Sequence, residues 1–540
     1  MRIKNKLFNR KKEYPRIDNL VVVYVAVVLY FQLLLQISPI VTSLTATPLY
    51  NIQTYLGLLG GGLIVLDLFT TKRIWQGNYI GLLCVILVFA ALASVRMISY
   101  GIKENLFKLC WMAIQFVLVY TCGYRIDKAQ LETRIRILFY GLLIIWCYAA
   151  CISLYQYVTQ YGYKEVVNPL AVDTSSNRQG FYDHRLFGIY YTLNHAAYIS
   201  LLFVTIALVF LLREKRTWVR ILLIAAEVVL VFHIILSGSR SAMVAMLVCV
   251  GVVSWFVARQ MIKLNGLSKP LVCCVVSAAM MVLCYCGYQG LKRGLAYVPH
   301  IVGTTRGEHA GTQNAANDRM KNMTRSGLLS AFVVGNGADF SDTVSLPKLA
   351  TITPGEEVAD VLNREENPDG DISNGRLEIW ADYIHLYKDI GVVGLSPGNY
   401  MPYILENYPD LYIVDEVKRF YPDKYNSGII HHVHSGYMMV YVSAGMVGIL
   451  SLVVYMLLCL RRFLRMVQKN KKLSHMFLGA LALVIAVAVS AVFDEGLFFQ
   501  NNPQTTIFWF ALGLLMSGRL QDAEIAVQEQ NEIAYKEERC

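Results

Sequence analysis

Twelve apolar runs, each close to the length of a bilayer crossing, constrain this chain more than any other feature. They fall at about 20–38, 54–70, 78–95, 106–123, 137–158, 190–212, 218–236, 241–258, 270–289, 434–460, 475–493 and 504–517. A hydrocarbon core about 30 Å thick needs about 20 apolar residues of helix. The expected fold is therefore an all-α polytopic membrane protein with about 12 transmembrane helices. The gap between the ninth and tenth runs leaves one long extracytoplasmic loop, with aromatic and amphipathic stretches that make it partly helical.

Composition agrees. Hydrophobic residues make up 56% and charged residues 16% of the 540, against about 25% charged in soluble proteins. A net charge of +11 would suit a nucleic-acid partner, but the basic residues are confined to short connectors, so no nucleic acid is expected. Positive segments occur at the N-terminus (Arg2, Lys4, Lys6, Arg10, Lys11, Lys12, Arg16), at Lys72 and Arg73, and within 125–136, 213–216, 259–269 and 461–472. These are alternate connectors. Basic residues stay on the cytoplasmic side, so both termini are expected there, with the first helix uncleaved. The expected organisation is helices one to nine within 1–289, the outer loop at 290–433, helices ten to twelve within 434–517, and a cytoplasmic tail at 518–540. The loop carries 19 Asp and Glu against 13 Lys and Arg and no cysteine. The twelve cysteines read mostly as small apolar packing residues, and none is spaced with histidines as zinc ligands are.

Ionisable groups at membrane depth or at its outer lip are functional candidates. Asp183, His184 and Arg185 precede the sixth run. Arg240 closes Ser237-Gly-Ser-Arg, a connection so short that two helices must form a tight hairpin and hold the guanidinium near the outer surface. Arg376 opens an amphipathic stretch of the loop. His431, His432 and His434 mark its return to the membrane, and Asp494 and Glu495 end the eleventh run. An arginine presents a planar fork of donors to phosphate. A histidine near neutrality can take a proton from a hydroxyl. Each residue also has an ordinary reading. Arg240 is an interfacial arginine, Arg185 pairs with Asp183, Arg376 caps its helix, and the histidine run caps the interface. His195 and His233, inside apolar runs, read as core histidines bonded to helix carbonyls.

Four segments together resemble the O-antigen ligase and Wzy-type polymerase superfamily. They are His434-Ser435, nine residues, then Gly445-Met-Val-Gly448; Arg185-Leu-Phe-Gly188 followed by Asn194; the Leu-Ser-Gly-Ser-Arg240 hairpin; and Gly375-Arg376-x3-Trp380 followed by Gly391-Val-Val-Gly394. The resemblance spans roughly 180–450. It implies a glycosyltransferase of the bacterial cytoplasmic membrane that works without metal or cofactor and inverts the sugar. The implied partners are an undecaprenyl-diphosphate-linked oligosaccharide, an acceptor glycan or glycolipid, the lipid bilayer and a chain-length regulator. By the same resemblance, His434 activates the acceptor hydroxyl, and Arg185, Arg240 and Arg376 bind the diphosphate. Ile449-Leu450 stand where ligases usually carry Thr, and the loop is long. Both features favour a surface-polysaccharide polymerase over a ligase. The competing reading is a transporter or flippase of lipid-linked glycans.

Overall fold

The structure is a computed structural model. It describes residues 15–302 except 46, 48–50, 71–74, 76, 127, 166–176, 183, 265 and 267, then 362, 373 and 375–520 except 471. The basic N-terminal residues before Pro15, Lys72, Arg73, Asp183, most of 303–374 and the tail beyond 520 lie outside the described residues.

Each of the twelve expected runs corresponds to one apolar helix. These are α1 (Pro15–Leu34), α2 (Ile52–Thr70), α3 (Ile80–Arg96), α4 (Lys103–Arg125), α5 (Lys128–Val158), α6 (Leu193–Arg213), α7 (Thr217–Ser237), α8 (Arg240–Met261), α9 (Ser268–Ala296), α10 (Gly436–Lys469), α11 (His475–Phe493) and α12 (Pro503–Ser517). Among the described residues ten are long and apolar enough to cross a bilayer. The other two are α3 and α12, of 17 and 15 residues, about 25 and 22 Å at 1.5 Å per residue. Several helix ends differ from the sequence expectation, and two of them border the long loop. Helix α9 continues to Ala296 rather than 289, and α10 begins at Gly436, which leaves His434 outside it.

The connectors sort to two ends of the bundle. At one end Arg125 pairs with Asp67 at 3.2 Å and with Asp18 at 3.8 Å. Arg519 donates to the Ile126 carbonyl at 3.0 Å, Arg136 pairs with Glu214 at 3.3 Å, and Arg462 donates to the Met516 carbonyl at 2.8 Å. At the other end Ile37 bridges Tyr190, Tyr157 donates to the Leu295 carbonyl at 2.8 Å, and Asn399 donates to the Met97 carbonyl at 3.3 Å. The first and last described helices thus have their outer ends, Asp18 and Arg519, on the same side. Helix α3 packs on α10, α8 on α9 and α11, α6 on α7, and α12 on α4. A Cβ at Gly123 would lie 2.2 Å from the Phe510 carbonyl oxygen, and one at Gly513 2.2 Å from that of Tyr120. Small residues at both positions therefore let the α4 and α12 backbones touch, as membrane helices commonly do. Helix α9 lies outermost and exposes Leu271, Val275, Val282 and Leu283.

An antiparallel sheet of three short strands lies between α5 and α6. The strands are β1 (Gly162–Glu165), β2 (Asn177–Tyr182) and β3 (Arg185–Gly188). Strands of four to six residues carry little periodicity, so none is expected in this connector from its sequence. The long loop between α9 and α10 contributes helices Arg376–His385, Tyr387–Ile390, Tyr400–Asn407, Tyr412–Phe420 and Pro422–Asn426. Ile379, Tyr383, Leu386, Ile390, Ile404 and Ile413 form part of the buried core beneath them.

Residues 391–398 of this loop insert beside α10. That helix breaks at Gly445, where φ is 66° and ψ −161°. The break frees backbone groups that the loop satisfies. Leu395 N–H donates to the Val442 carbonyl at 2.7 Å, Met446 N–H to Gly391 at 3.0 Å, and Val447 N–H to Val392 at 3.4 Å. A Cβ at Gly445 would lie 2.4 Å from the Val392 oxygen, and one at Gly394 2.7 Å from the Ser443 carbonyl. The two Gly-x-x-Gly segments therefore meet each other. Arg96, Lys108 and Asn105 hold the far side of the insertion through Gly394, Pro397 and Gly398.

Candidate functional site

His434 lies where the loop returns to α10. The helix Arg376–His385 fixes that return. Trp380 donates its indole N–H to the Val433 carbonyl at 3.0 Å, and Tyr383 donates to the His431 carbonyl at 2.8 Å. His431 N–H in turn reaches the Ile413 carbonyl at 3.1 Å. His434 itself has φ 49°, a left-handed conformation that is uncommon outside glycine. Its N–H donates to Glu495 Oε1 at 3.0 Å. Ser435 then caps α10 by accepting from Met438 N–H at 3.5 Å, and Gly436 N–H donates to the Asp494 carbonyl at 2.9 Å. The imidazole of His434 stays half-buried.

The end of α11 supplies the acidic side of the site. Asp494 Oδ2 lies 3.0 Å from His195 Nε2, and Glu495 Oε2 lies 3.5 Å from His432 Nδ1. Gln504 of α12 donates to the His195 carbonyl at 3.5 Å. Arg376, Asp494 and Glu495 are all near enough to act on His434 electrostatically. Arg376 and Asp494 also act on Tyr198 of α6, which lies beside Ser241, the neighbour of Arg240.

Burial pushes the His434 imidazole down to about 4 despite Glu495, so it is neutral at pH 7. Burial alone would raise the Glu495 carboxyl, but His432 and then His434 outweigh it and draw the carboxyl to about 2. Asp494 is likewise lowered: burial opposes the shift and His195 drives it. His431, 2.8 Å from Glu416, is lowered by burial.

The arginines divide into two groups. Arg376 is half-buried at the start of its helix, after Gly375 with φ 73°, and belongs with His434. Arg185 starts β3 and reaches the α7–α8 hairpin. Its Nε donates to the Ser237 carbonyl at 3.0 Å and Nη2 to Asn194 Oδ1 at 3.2 Å. Gly238 there has φ 61° and faces the Arg185 side chain. Arg240 opens α8 just past the Ser239 cap and is exposed. Asn194 precedes His195, so the Arg185 group and the His434 group meet through α6 and Asp494.

His195 is the site residue that sequence reasoning missed. Its place in an apolar run predicts a core histidine bonded to a carbonyl, yet its partner is the carboxylate of Asp494, 299 positions away. His233 is buried as expected, but it bonds the Ser200 hydroxyl at 2.9 Å and lies against the Tyr190 ring.

Residues 225–453 match a family model described as O-antigen ligase. The match runs from α7 into α10, takes in Arg240, Arg376 and His434, and stops short of Arg185. No curated protein and no solved structure matches the chain. The stretch from 225 to 453 is thus similar to the O-antigen ligase family, within a longer polytopic membrane chain.

Proposed function

We propose that this protein transfers a glycan from a lipid diphosphate, such as undecaprenyl diphosphate, to an acceptor sugar hydroxyl at the outer face of the bacterial cytoplasmic membrane. The observation that carries the reading is that the stretch matching the O-antigen ligase model contains both the half-buried His434, whose imidazole burial holds below its usual range, and the Arg376 that opens the helix holding it. In this reading His434 takes the proton of the acceptor hydroxyl. The hydroxyl oxygen attacks the anomeric carbon from the face opposite the diphosphate, and the carbon–oxygen bond to the diphosphate breaks. The configuration inverts. The leaving diphosphate gains charge, and Arg185, Arg240 and Arg376 stabilise it without a metal ion. Asp494 and Glu495 orient the His434 segment. Ile449-Leu450 and the long outer loop favour a polymerase extending its own repeat unit, with a chain-length regulator as partner.

The test uses the full chain in liposomes with a lipid-diphosphate-linked oligosaccharide. The wild type should release lipid diphosphate and lengthen the glycan. Arg240→Ala and His434→Ala should stop release while inserting normally. Movement of intact donor across the bilayer, with no diphosphate released, would replace this reading with a transporter. Full release by both variants would remove those residues from the mechanism.

A further inference from the structure

The helix Arg376–His385 carries two apolar faces. One is buried: Ile379 and Tyr383 are 3% and 0% exposed, and Leu386 just beyond continues that face. The other is open. Leu377, Ala381 and Ile384 follow one another at spacings of four and three residues, and Lys388 completes the line four residues later. Leu377 and Ile384 are 61% and 55% exposed. Glu378 and His385 stand to the side of this stripe. A soluble surface helix would carry polar residues there.

Two observations identify what covers the open face. The first is continuity. The chain leaves this helix through Tyr387 and Val392, 58% and 61% exposed, and Val392 docks by its backbone on Val447 of α10. Beyond that point α10 exposes Met446, Leu450, Val454 and Leu457, the lipid-facing side of a crossing helix. Met446 is ten residues into α10, about 15 Å along its axis, so Val392 sits well below the outer end of that helix. The second is chemistry. Lys388 Nζ lies 5.9 Å from the Tyr387 ring. Tyrosine and lysine are the residues that sit at the headgroup level, with the ammonium directed to phosphate.

We propose that the Leu377, Ala381, Ile384 face, with Tyr387 and Val392, is a lipid-binding surface that seats the outer loop in the outer leaflet. Acyl chains cover the apolar stripe, and Lys388 meets a lipid phosphate. The same helix begins with Arg376 and holds the His434 segment through Trp380, so its seat in the leaflet fixes the height of both residues above the acyl chains. That consequence rests on the transfer reading; the surface itself does not.

The experiment places the full chain in phosphatidylcholine liposomes that contain a lipid with a photoactivatable diazirine in its acyl chain. After illumination, labelled peptides are mapped by mass spectrometry. Label is expected on 377–392 as well as on the exposed side of α9. The double variant Leu377→Glu, Ile384→Glu should lose the label on 377–392 and keep it on α9, which also shows that the variant has inserted. Label on α9 alone in the wild type would overturn the proposal. So would chemical cross-links tying Lys388 to residues 303–372 or to a second copy of the chain, since protein would then cover the face. Neither outcome depends on glycan transfer, so failure here and failure of the proposed reaction are read separately.

Discussion

His434 keeps a left-handed backbone because its neighbours specify that conformation. Such a conformation costs roughly 1–3 kcal/mol, and Glu495 on one side and Trp380 through Val433 on the other hold it. Glu495→Ala removes the acceptor of a buried N–H. That should lower stability by about 1–3 kcal/mol and slow transfer, whereas Glu495→Gln keeps an acceptor and should unfold closer to the wild type. Thermal unfolding of the detergent-purified variants checks this, and equal midpoints for Ala and wild type would count against the role given to Glu495. The pH dependence has a definite sign. His434 must be neutral to accept a proton, and burial lowers it to about 4, so the acid limb of the transfer rate should lie near 4 rather than near 6.5. Because the folded protein resists protonating this residue, its contribution to stability is complete above about pH 6.5 and falls as the pH drops toward 4. An acid limb near 6.5 would mean that the imidazole is solvated. His434 and the arginines stand out as candidates in the sequence because short motifs carry them. The partner of His195 does not, since nothing local to Leu193-Asn-His195 records a carboxylate on α11.

At the scale of elements, sequence motifs marked positions whose structural reason lay elsewhere in the chain. Gly445 and Gly394 stood out as parts of Gly-x-x-Gly segments. Only the fold shows that each is small because the other's backbone occupies the space where a side chain would be. Gly445→Ala must also place a Cβ at φ 66°. It should destabilise by more than about 1–3 kcal/mol, and it should also disturb His434 through the start of α10. Gly62→Ala is the comparison: nothing lies within 4 Å of its Cβ position, and alanine is the better helix former by roughly 1 kcal/mol. That variant should match or exceed the wild type in the same melt. A Gly445→Ala protein as stable and active as the wild type would show that the break in α10 does not require glycine. The small sheet was illegible for another reason. Its short strands pack through Leu186 and Phe181 against Tyr157 and Leu236, distant residues that no local periodicity records.

The whole molecule separates charge by side. Basic connectors gather at the end where Arg125 bridges Asp67 and Asp18 and Arg519 joins the last helix to the fourth. His434, Asp494 and Glu495 gather at the other end. The first end behaves as a clamp, because Arg125 and Asp67 are both buried, 5% and 0% exposed at the side chain. Arg125→Ala removes the cation beside a fully buried carboxylate and should cost about 3–5 kcal/mol. Adding Asp67→Asn should return part of that, and a melt in which the double variant is no better than the single would show that the pair does not act alone. The sequence yielded this two-sided plan almost whole, since length and charge alternate along the chain without reference to tertiary contacts. The positive-inside rule leads us to expect the basic end on the cytoplasmic side, and this can be tested directly. A phosphatase that folds only outside the cytoplasm, fused after residue 426 in the outer loop, should be active in cells. The same enzyme fused after residue 470, beyond the arginines of α10, should be inactive at equal expression. The reverse pattern would turn the molecule over and place His434 on the cytoplasmic side, where an acceptor hydroxyl of a surface glycan could not reach it.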